Sequence, residues 1–211
     1  LADASGVESF KLETGNFKEE DFEAISEAMS VMAESSIYID DTPGLTVMEM
    51  RTKARRVAHE NDIGLIIVDY LQLMSGSSKR AMDNRVQEIS EISRGLKLIA
   101  RELNVPVIAL SQLSRSVESR DPKIPMLSDL RESGSIEQDA DIVMFLYRED
   151  YYDPETERQN ITDLILAKHR RGATGNVELF FDKKRVRFMS LDKHHDWRLY
   201  RIMILKTFML K

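Results

Sequence analysis

The chain contains no cysteine. That excludes disulfides and cysteine-ligated zinc, and it fits a reducing compartment such as the cytoplasm. It has no long apolar run either: the longest, Ile142 to Tyr147, is far too short to cross a bilayer. No basic segment followed by an apolar one opens the chain, so no signal peptide is expected. Positive charge is not in excess. Thirty Lys and Arg stand against 36 Asp and Glu, a formal net charge of −6. Such a balance argues against a protein that coats nucleic acid indiscriminately, but not against one that grips a strand with a few local groups. Finally, none of the nine glycines precedes Lys-Ser or Lys-Thr, so the phosphate-cradling signature Gly-x-x-x-x-Gly-Lys-[Ser/Thr] is missing. The chain opens on Leu1 rather than Met, which suggests a fragment or a processed product.

What is present is an ordinary globular composition. The 211 residues are 42% hydrophobic and 31% charged, enough for one domain with a real core. Phe22, Ile25, Met29 and Met32 fall at steps of three and four and predict a helix over 18–33. Ile37 to Asp40 reads as a short strand, stopped by Asp41-Thr-Pro-Gly44. Thr46-Val-Met-Glu49 has the form of a capping box opening a helix with Val47, Met50, Ala54 and Val57 on one face. Ile63 to Val68 is a continuous apolar stretch of the kind buried on both faces of a parallel sheet. A polar loop follows, with Lys79 and Arg80. A long amphipathic helix then carries Val86, Ile89, Ile92, Leu96, Ile99 and Leu103. Further strands are expected at 105–110, 141–146 and 161–167. An antiparallel hairpin is expected at 176–181 and 185–191. Residues 114–128 read as a loop. Strands alternating with helices mean an α/β fold with a mostly parallel sheet flanked by helices.

Three strand ends carry polar groups. Asp69 follows the first apolar strand, Gln112 follows the second, and Lys168 and Arg170 follow a later one in Ala167-Lys-His-Arg-Arg-Gly172. In open parallel sheets, ligands sit at the carboxyl ends of the strands. An apolar strand (Leu65, Ile66, Ile67, Val68) ending on Asp69 matches the Walker B arrangement, in which a carboxylate holds Mg²⁺ through water beside nucleotide phosphates. Each feature also has a plainer reading: a turn or helix cap for Asp69, a strand cap for Gln112, a solvated basic turn for Lys168 and Arg170.

The local strings resemble the DnaB-type replicative helicases. They are Ile66-Ile-Val-Asp-Tyr-Leu-Gln-Leu73, Glu88 to Arg94, Leu96 to Leu103, Val105 to Arg115, Asp129-Leu-Arg-Glu-Ser-Gly-Ser-Ile-Glu-Gln-Asp-Ala-Asp141 and Ala167 to Gly172. Tyr38 to Gly44 fits as well, and the likeness runs from near Leu1 to about His194. It implies a RecA-like P-loop NTPase core with a C-terminal β-hairpin, N-terminally truncated, spanning residues 1–195, with 196–211 unassigned. It implies an ATP-hydrolysing 5′→3′ DNA helicase, with ATP and Mg²⁺ bound between the subunits of a hexameric ring around single-stranded DNA. Primase and a helicase loader are partners in that family, which works in the cytoplasm of bacteria, or for phage, at replication forks. By the same resemblance Asp69 is the Walker B carboxylate, Gln112 the γ-phosphate sensor, Lys168 a contact to the neighbour's ATP and Arg170 the arginine finger. Arg131, Glu132 and Gly134 belong to the loop that tracks the DNA backbone. The plainer reading of that loop is a helix start with Ser133 or Ser135 as cap.

In the family, a primase-binding domain, a linker helix, the P-loop and the catalytic Glu all precede the part that Leu1 resembles. This chain alone is therefore expected not to hydrolyse ATP, and to be marginally stable or to self-associate. An alternative is a catalytically inactive binding module that contributes only subunit and single-stranded DNA contacts. A recombination- or clock-type ATPase shares the fold, but not the Ser-Gly-Ser-Ile-Glu-Gln-Asp-Ala-Asp string. Lys79 and Arg80 read most simply as a solvated loop, His194-His195 as an exposed tail, and His59 and His169 as solvent-facing. Met29, Met32, Met48 and Met50 read as core fillers. Tyr151-Tyr152 reads as part of a polar connection.

Overall fold

A computed structural model of the protein describes residues 1–76 and 84–191, without the side chains of 131–133. Lys79, Arg80, His194, His195 and the segment 196–211 lie outside the described residues. In chain order the helices are α1 (Ala2–Ser5), α2 (Ser9–Thr14), α3 (Glu19–Ala33), α4 (Val47–Glu60), α5 (Arg85–Leu103), α6 (Gly134–Asp139) and α7 (Glu149–Tyr152). The strands are β1 (Ile66–Val68), β2 (Val107–Ala109), β3 (Ile142–Tyr147), β4 (Ile161–His169), β5 (Gly175–Asp182) and β6 (Arg187–Ser190). Strands β1 and β2 pair in parallel; β3-β4-β5-β6 form a second sheet, in which β5 and β6 are antiparallel. The expected α/β class and the hairpin are both present.

The chain divides into two compact units. The larger comprises Asp41–Phe145 and Ile165–Gly175 among the described residues. Its core is the apolar face of α5: Ile89, Ile92, Leu96 and Ile99 pack with Met50, Leu71 and Met74, and Ile66, Val68 and Val107 lie against them. The sequence predicted this face, and the caps explain the ends of the two long helices. The Thr46 hydroxyl accepts from Glu49 N–H at 3.3 Å and Thr46 N–H donates to Glu49 Oε2 at 2.9 Å, the reciprocal box that starts α4. The Asn84 side chain accepts from Val86 and Gln87 N–H at the start of α5, and Asn104 ends it in the left-handed region at φ 53°. Gly95 is required by close approach: a Cβ there would stand 2.4 Å from Val47 Cγ1. A second cluster gathers Leu130, Val143 and Phe145 with Leu127, Ile136 and Ile165.

The smaller unit holds α1 to α3, α7 and the hairpin. Two buried carboxylates organise it. Asp150 accepts from Lys183 Nζ at 2.7 Å, Arg148 Nε at 3.1 Å and Asn160 N–H at 2.8 Å. Asp163 accepts both terminal nitrogens of Arg158 at 2.9 Å and Asn176 Nδ2 at 2.9 Å. In each case burial opposes the charge, but the donors outweigh it and hold the carboxyl below the usual carboxylate range.

Several expectations are corrected. Ile37 to Asp40 is not a strand; it has no regular structure and Ile39 is 87% exposed, because no described strand pairs with it. The stretch ending at Val68 is not buried on both faces. Ile66 and Val68 face α5, while Ile67 is 60% exposed with nothing described to cover it. Of the four methionines expected in the core, only Met50 is buried. Met29, Met32 and Phe22 share an α3 face that the described residues leave open, and Met48 is exposed at the start of α4. The 114–128 loop contains one short 3₁₀ segment, Arg115–Ser119, and the start of another, Leu127–Ser133.

Candidate nucleotide edge and DNA-contacting segment

The parallel register pairs Ile66 with Val107, Ile67 with Ile108 and Val68 with Ala109. The carboxyl ends of β1 and β2 are therefore level, and the chain leaves them at Asp69 and Leu110. The ladder continues one step: Leu110 N–H donates to Val68 O at 3.0 Å, and Leu71 N–H donates to Leu110 O at 2.9 Å. Asp69 is exposed, its peptide bond to Tyr70 is cis, and no donor among the described residues engages its carboxylate. Gln112, two residues beyond Leu110, is exposed on the same edge.

Gln72 ties the two strand ends together. Its Oε1 accepts from Gln112 N–H at 3.2 Å, and its Nε2 donates to Ser111 Oγ at 3.2 Å and to Gln112 O at 3.4 Å. Arg85 holds Gln72 from behind, donating to its carbonyl at 2.8 Å and pairing with Glu88. Gln72 had no assigned role in the sequence. The signal was present, a polar side chain two residues beyond the strand-end turn, but nothing in its spacing named Gln112 as its partner.

A hard cation held through water needs an unengaged oxygen donor, and Asp69 offers one. The described residues contain no cluster of three or more His, Asp or Glu side chains that would form a metal cage. One exposed carboxylate therefore fits Mg²⁺ shared with phosphates and water, not an all-protein site.

Lys168 and Arg170 are grouped elsewhere, at the carboxyl end of α6. Lys168 Nζ donates to Ala140 O at 2.8 Å and to Glu137 O. Arg170 donates through a terminal nitrogen to Gln138 O at 2.7 Å and through its N–H to Asp141 O at 2.8 Å, and its guanidinium lies 3.5 Å from Asp141 Oδ1. Lys97 also pairs with Asp141. Cations on the last carbonyls of a helix complement its dipole. Burial, with Arg170 close by, lowers the Lys168 amine below its ordinary value. His169 is not simply solvent-facing: its Nδ1 accepts from Arg171 N–H at 3.2 Å, and its ring lies so close to Gly172 that a Cβ there would meet it at 2.8 Å.

The segment expected to be a DNA-tracking loop is helical. Residues 127–133 form 3₁₀ turns kinked at Leu130, and the stretch runs directly into α6 at Gly134, whose φ of −51° is right-handed. The reason is local: Asp129 accepts from Met126 N–H at 2.8 Å and so starts the turn. The side chains of Arg131 and Glu132 lie outside the described residues. Gly134 is exposed, and a Cβ there would meet nothing within 4 Å. Neither backbone conformation nor packing asks for glycine at that position.

Known proteins resemble this chain in sequence and fold. A family model described as the DnaB-like helicase C terminal domain matches residues 1–190. The chain is 57% identical over 196 residues to the replicative DNA helicase DnaC of Bacillus subtilis, and 52% identical over 196 residues to the replicative DNA helicase DnaB of Geobacillus stearothermophilus. Each alignment covers 93% of this chain and 43% of the relative, so the chain spans less than half the length of these proteins. Among solved structures, one described as an ATPase domain aligns with TM-score 0.86 at 46% identity, covering 90% of this chain and 68% of that one. A DnaB-like replicative helicase, described with its interactions with primase, aligns with TM-score 0.86 at 46% identity, covering 90% of this chain and 46% of that one. The fold is therefore the RecA-like one of these ATPase domains. Because the family model spans all but the last of the described residues, the chain belongs to the DnaB-like helicase C-terminal domain family.

Proposed function

We propose that this chain is the Walker B, sensor, arginine-finger and DNA-contacting part of a hexameric ring helicase. The assembled protein moves 5′→3′ on single-stranded DNA by hydrolysing ATP and unwinds duplex at the replication fork, in the cytoplasm, with primase and a loader as partners. The observation that carries this reading is the β1/β2 register, which sets Asp69 and Gln112 on one strand-end edge and joins them through Gln72.

Each residue has a distinct task. Asp69 supplies the carboxylate that orients a hydrated Mg²⁺. Gln112 senses the terminal phosphate, its backbone held by Gln72. Lys168 and Arg170 stand apart from that edge, on the carbonyls of α6, which suits groups that serve a neighbouring subunit's nucleotide. A guanidinium supplied in this way stabilises charge on the transferring phosphoryl group. Mg²⁺ held there by Asp69 would supply positive charge to offset that of the nucleotide's phosphates. Arg131, Glu132 and Gly134 contact the DNA backbone, where phosphate contacts fix register without reading bases. Gly134, unneeded by the fold, leaves room for a phosphate to come close.

Without a phosphate-cradling glycine loop, this chain by itself does not hydrolyse ATP and binds Mg-ATP more weakly than about 1 mM, the weak end of ordinary affinities. The decisive test is a chimaera in which this chain replaces the matching segment of the Bacillus subtilis relative. It is expected to unwind a forked duplex with ATP and Mg²⁺. Asp69→Ala or Arg170→Ala is expected to abolish hydrolysis. Undiminished hydrolysis with Asp69→Ala would overturn the assignment. Micromolar Mg-ATP affinity of the isolated chain would overturn the claim that it lacks a phosphate cradle.

A further inference from the structure

Residues 114 to 126 make an excursion that returns to its starting point. It leaves the sensor strand at Ser114, turns through the 3₁₀ segment Arg115–Ser119 with Val117 buried, and reaches the base of the DNA-contacting segment at Met126. One ion pair closes it. Arg120 donates through its two terminal nitrogens to Asp129 Oδ1 at 3.0 Å and Oδ2 at 2.6 Å, and to Ile124 O at 2.8 Å. Asp129 is 2% exposed. Its Oδ2 also accepts from Met126 N–H at 2.8 Å, and its carbonyl accepts from Ser114 N–H at 2.9 Å.

This carboxylate is buried and committed to structural hydrogen bonds. Arg120 and Met126 engage both its oxygens, and the Arg120 hydrogen bonds hold its carboxyl below the usual range. What it does is fix backbone. Through its side chain it sets the start of the 3₁₀ turn that carries Arg131. Through its carbonyl it fastens that turn to Ser114, two residues from Gln112. The next residue, Leu130, is buried against Val143 and Phe145, so the turn is anchored on two sides by the residues just before Arg131. A bidentate Arg–carboxylate pair specifies orientation as well as energy, which a single-point cation would not.

We propose that Arg120 and Asp129 are positioning residues: their bidentate pair sets the DNA-contacting turn in register with the nucleotide-sensor strand. The proposal rests on the reading of 131–134 as the DNA-contacting segment. Its consequence is that strand affinity depends on a side chain that itself touches no DNA.

The test uses the chimaera and a fluorescein-labelled oligothymidylate, with anisotropy read across a salt series. Arg120→Ala and Asp129→Asn are each expected to weaken binding about tenfold. Combining them is expected to add nothing, since both break one coupled pair. Arg120→Lys keeps the charge but not the fork, and is expected to recover only part of the loss. The slope of log affinity against log salt is expected to stay unchanged. A slope reduced by about one unit would mean that Arg120 itself neutralises a phosphate, and positioning would be overturned. Arg158→Ala, which removes a bidentate pair with the similarly buried Asp163 in the smaller unit, is expected to have no effect. A loss as large from Arg158→Ala would make the effect one of general stability and would also overturn the proposal.

Hydrogen exchange provides the second readout, on this chain without DNA. Arg120→Lys and Asp129→Asn are expected to speed exchange at Ser114 and at 129–134 while leaving α5 protected. Unchanged exchange at those amides would sink the proposal whatever the binding data show. If the unsubstituted chimaera fails to bind the oligothymidylate, the DNA-contacting reading fails, and this exchange measurement still decides whether the pair orders the turn.

Discussion

The backbone N–H of Gln112 donates to the side-chain Oε1 of Gln72 at 3.2 Å. The main chain of Gln112, the proposed sensor, is thus held by a residue that lies 40 positions earlier and follows the other strand end. Replacing Gln72 with Leu removes that acceptor and leaves the Gln112 side chain to find its own position. In the chimaera, kcat for ATP hydrolysis is expected to fall about tenfold to a hundredfold, with KM for ATP little changed, the cost of a misplaced group that is not itself a ligand. Steady-state kinetics over a range of ATP concentrations read both constants. A rise in KM alone would assign Gln72 to ground-state binding.

Two glycine-to-alanine changes are expected to behave in opposite ways. At Gly95, alanine is the better helix former, but its Cβ would strike Val47 at 2.4 Å. Overpacking of this kind costs about 1–3 kcal/mol, so urea denaturation should show net destabilisation, relieved when Val47→Ala is added. At Gly134 the backbone is right-handed and the space is open. Gly134→Ala should leave stability unchanged or raise it by up to about 1 kcal/mol, while weakening single-stranded DNA binding. Loss of stability without loss of binding at Gly134 would contradict the role given to it.

Glu88 is 7% exposed and accepts from Gly76 N–H at 2.8 Å and from Arg85. Burial opposes its charge, yet those donors keep its carboxyl below the ordinary range. Glu88→Ala orphans a buried N–H and frees Arg85 from the grip it keeps on Gln72. A stability loss of about 1–3 kcal/mol is expected by urea denaturation. The same variant in the chimaera should share part of the kinetic defect of Gln72→Leu.

Acid should unfold the chain through carboxylates that the fold holds ionised. Asp129, lowered first by its Arg120 hydrogen bonds, and Asp150 and Asp163, lowered by their donors against the effect of burial, all have folded values below unfolded ones. Their stabilisation is fully present above the unfolded value of about 4 and is lost as pH falls through the folded values. Circular dichroism followed from about pH 7 downward should show a plateau to about pH 5 and then a decline. Asp163→Asn should flatten that decline, while lowering stability at neutral pH. A decline that begins well above about pH 5 would point to other groups.

At α4 and α5, caps and hydrophobic periodicity make the sequence a sufficient guide, whereas the equally local turn that Asp129 starts reads from the sequence as a loop. Thr46 and Glu49 satisfy each other's neighbouring N–H groups within four residues, and the α5 stripe buries itself on a period that needs no partner's identity. The strand-end positions of Asp69 and Gln112 were readable for the same reason. Ile37 to Asp40 was not, because a strand exists only when another strand accepts its hydrogen bonds. The exposed Met29 and Met32 show the same limit: periodicity names an apolar face, not what covers it. Gln72 and Arg120 were missed because each acts across a turn whose path had to be known first. No spacing rule links Arg120 to Asp129 once a loop with two prolines lies between them.

Helix α6 has six residues, with Gly134 at one end and the carbonyls that hold Lys168 and Arg170 at the other. At about 1.5 Å per residue it spans roughly 9 Å, and each residue turns it by about 100°. One inserted or deleted residue would therefore swing those carbonyls about a quarter-turn away from their cations, and turn the side chains beyond the change by the same angle. The length of this rod is a gauge block: Ile136 aside, which packs in the core, its side chains set the spacing less than its residue count does.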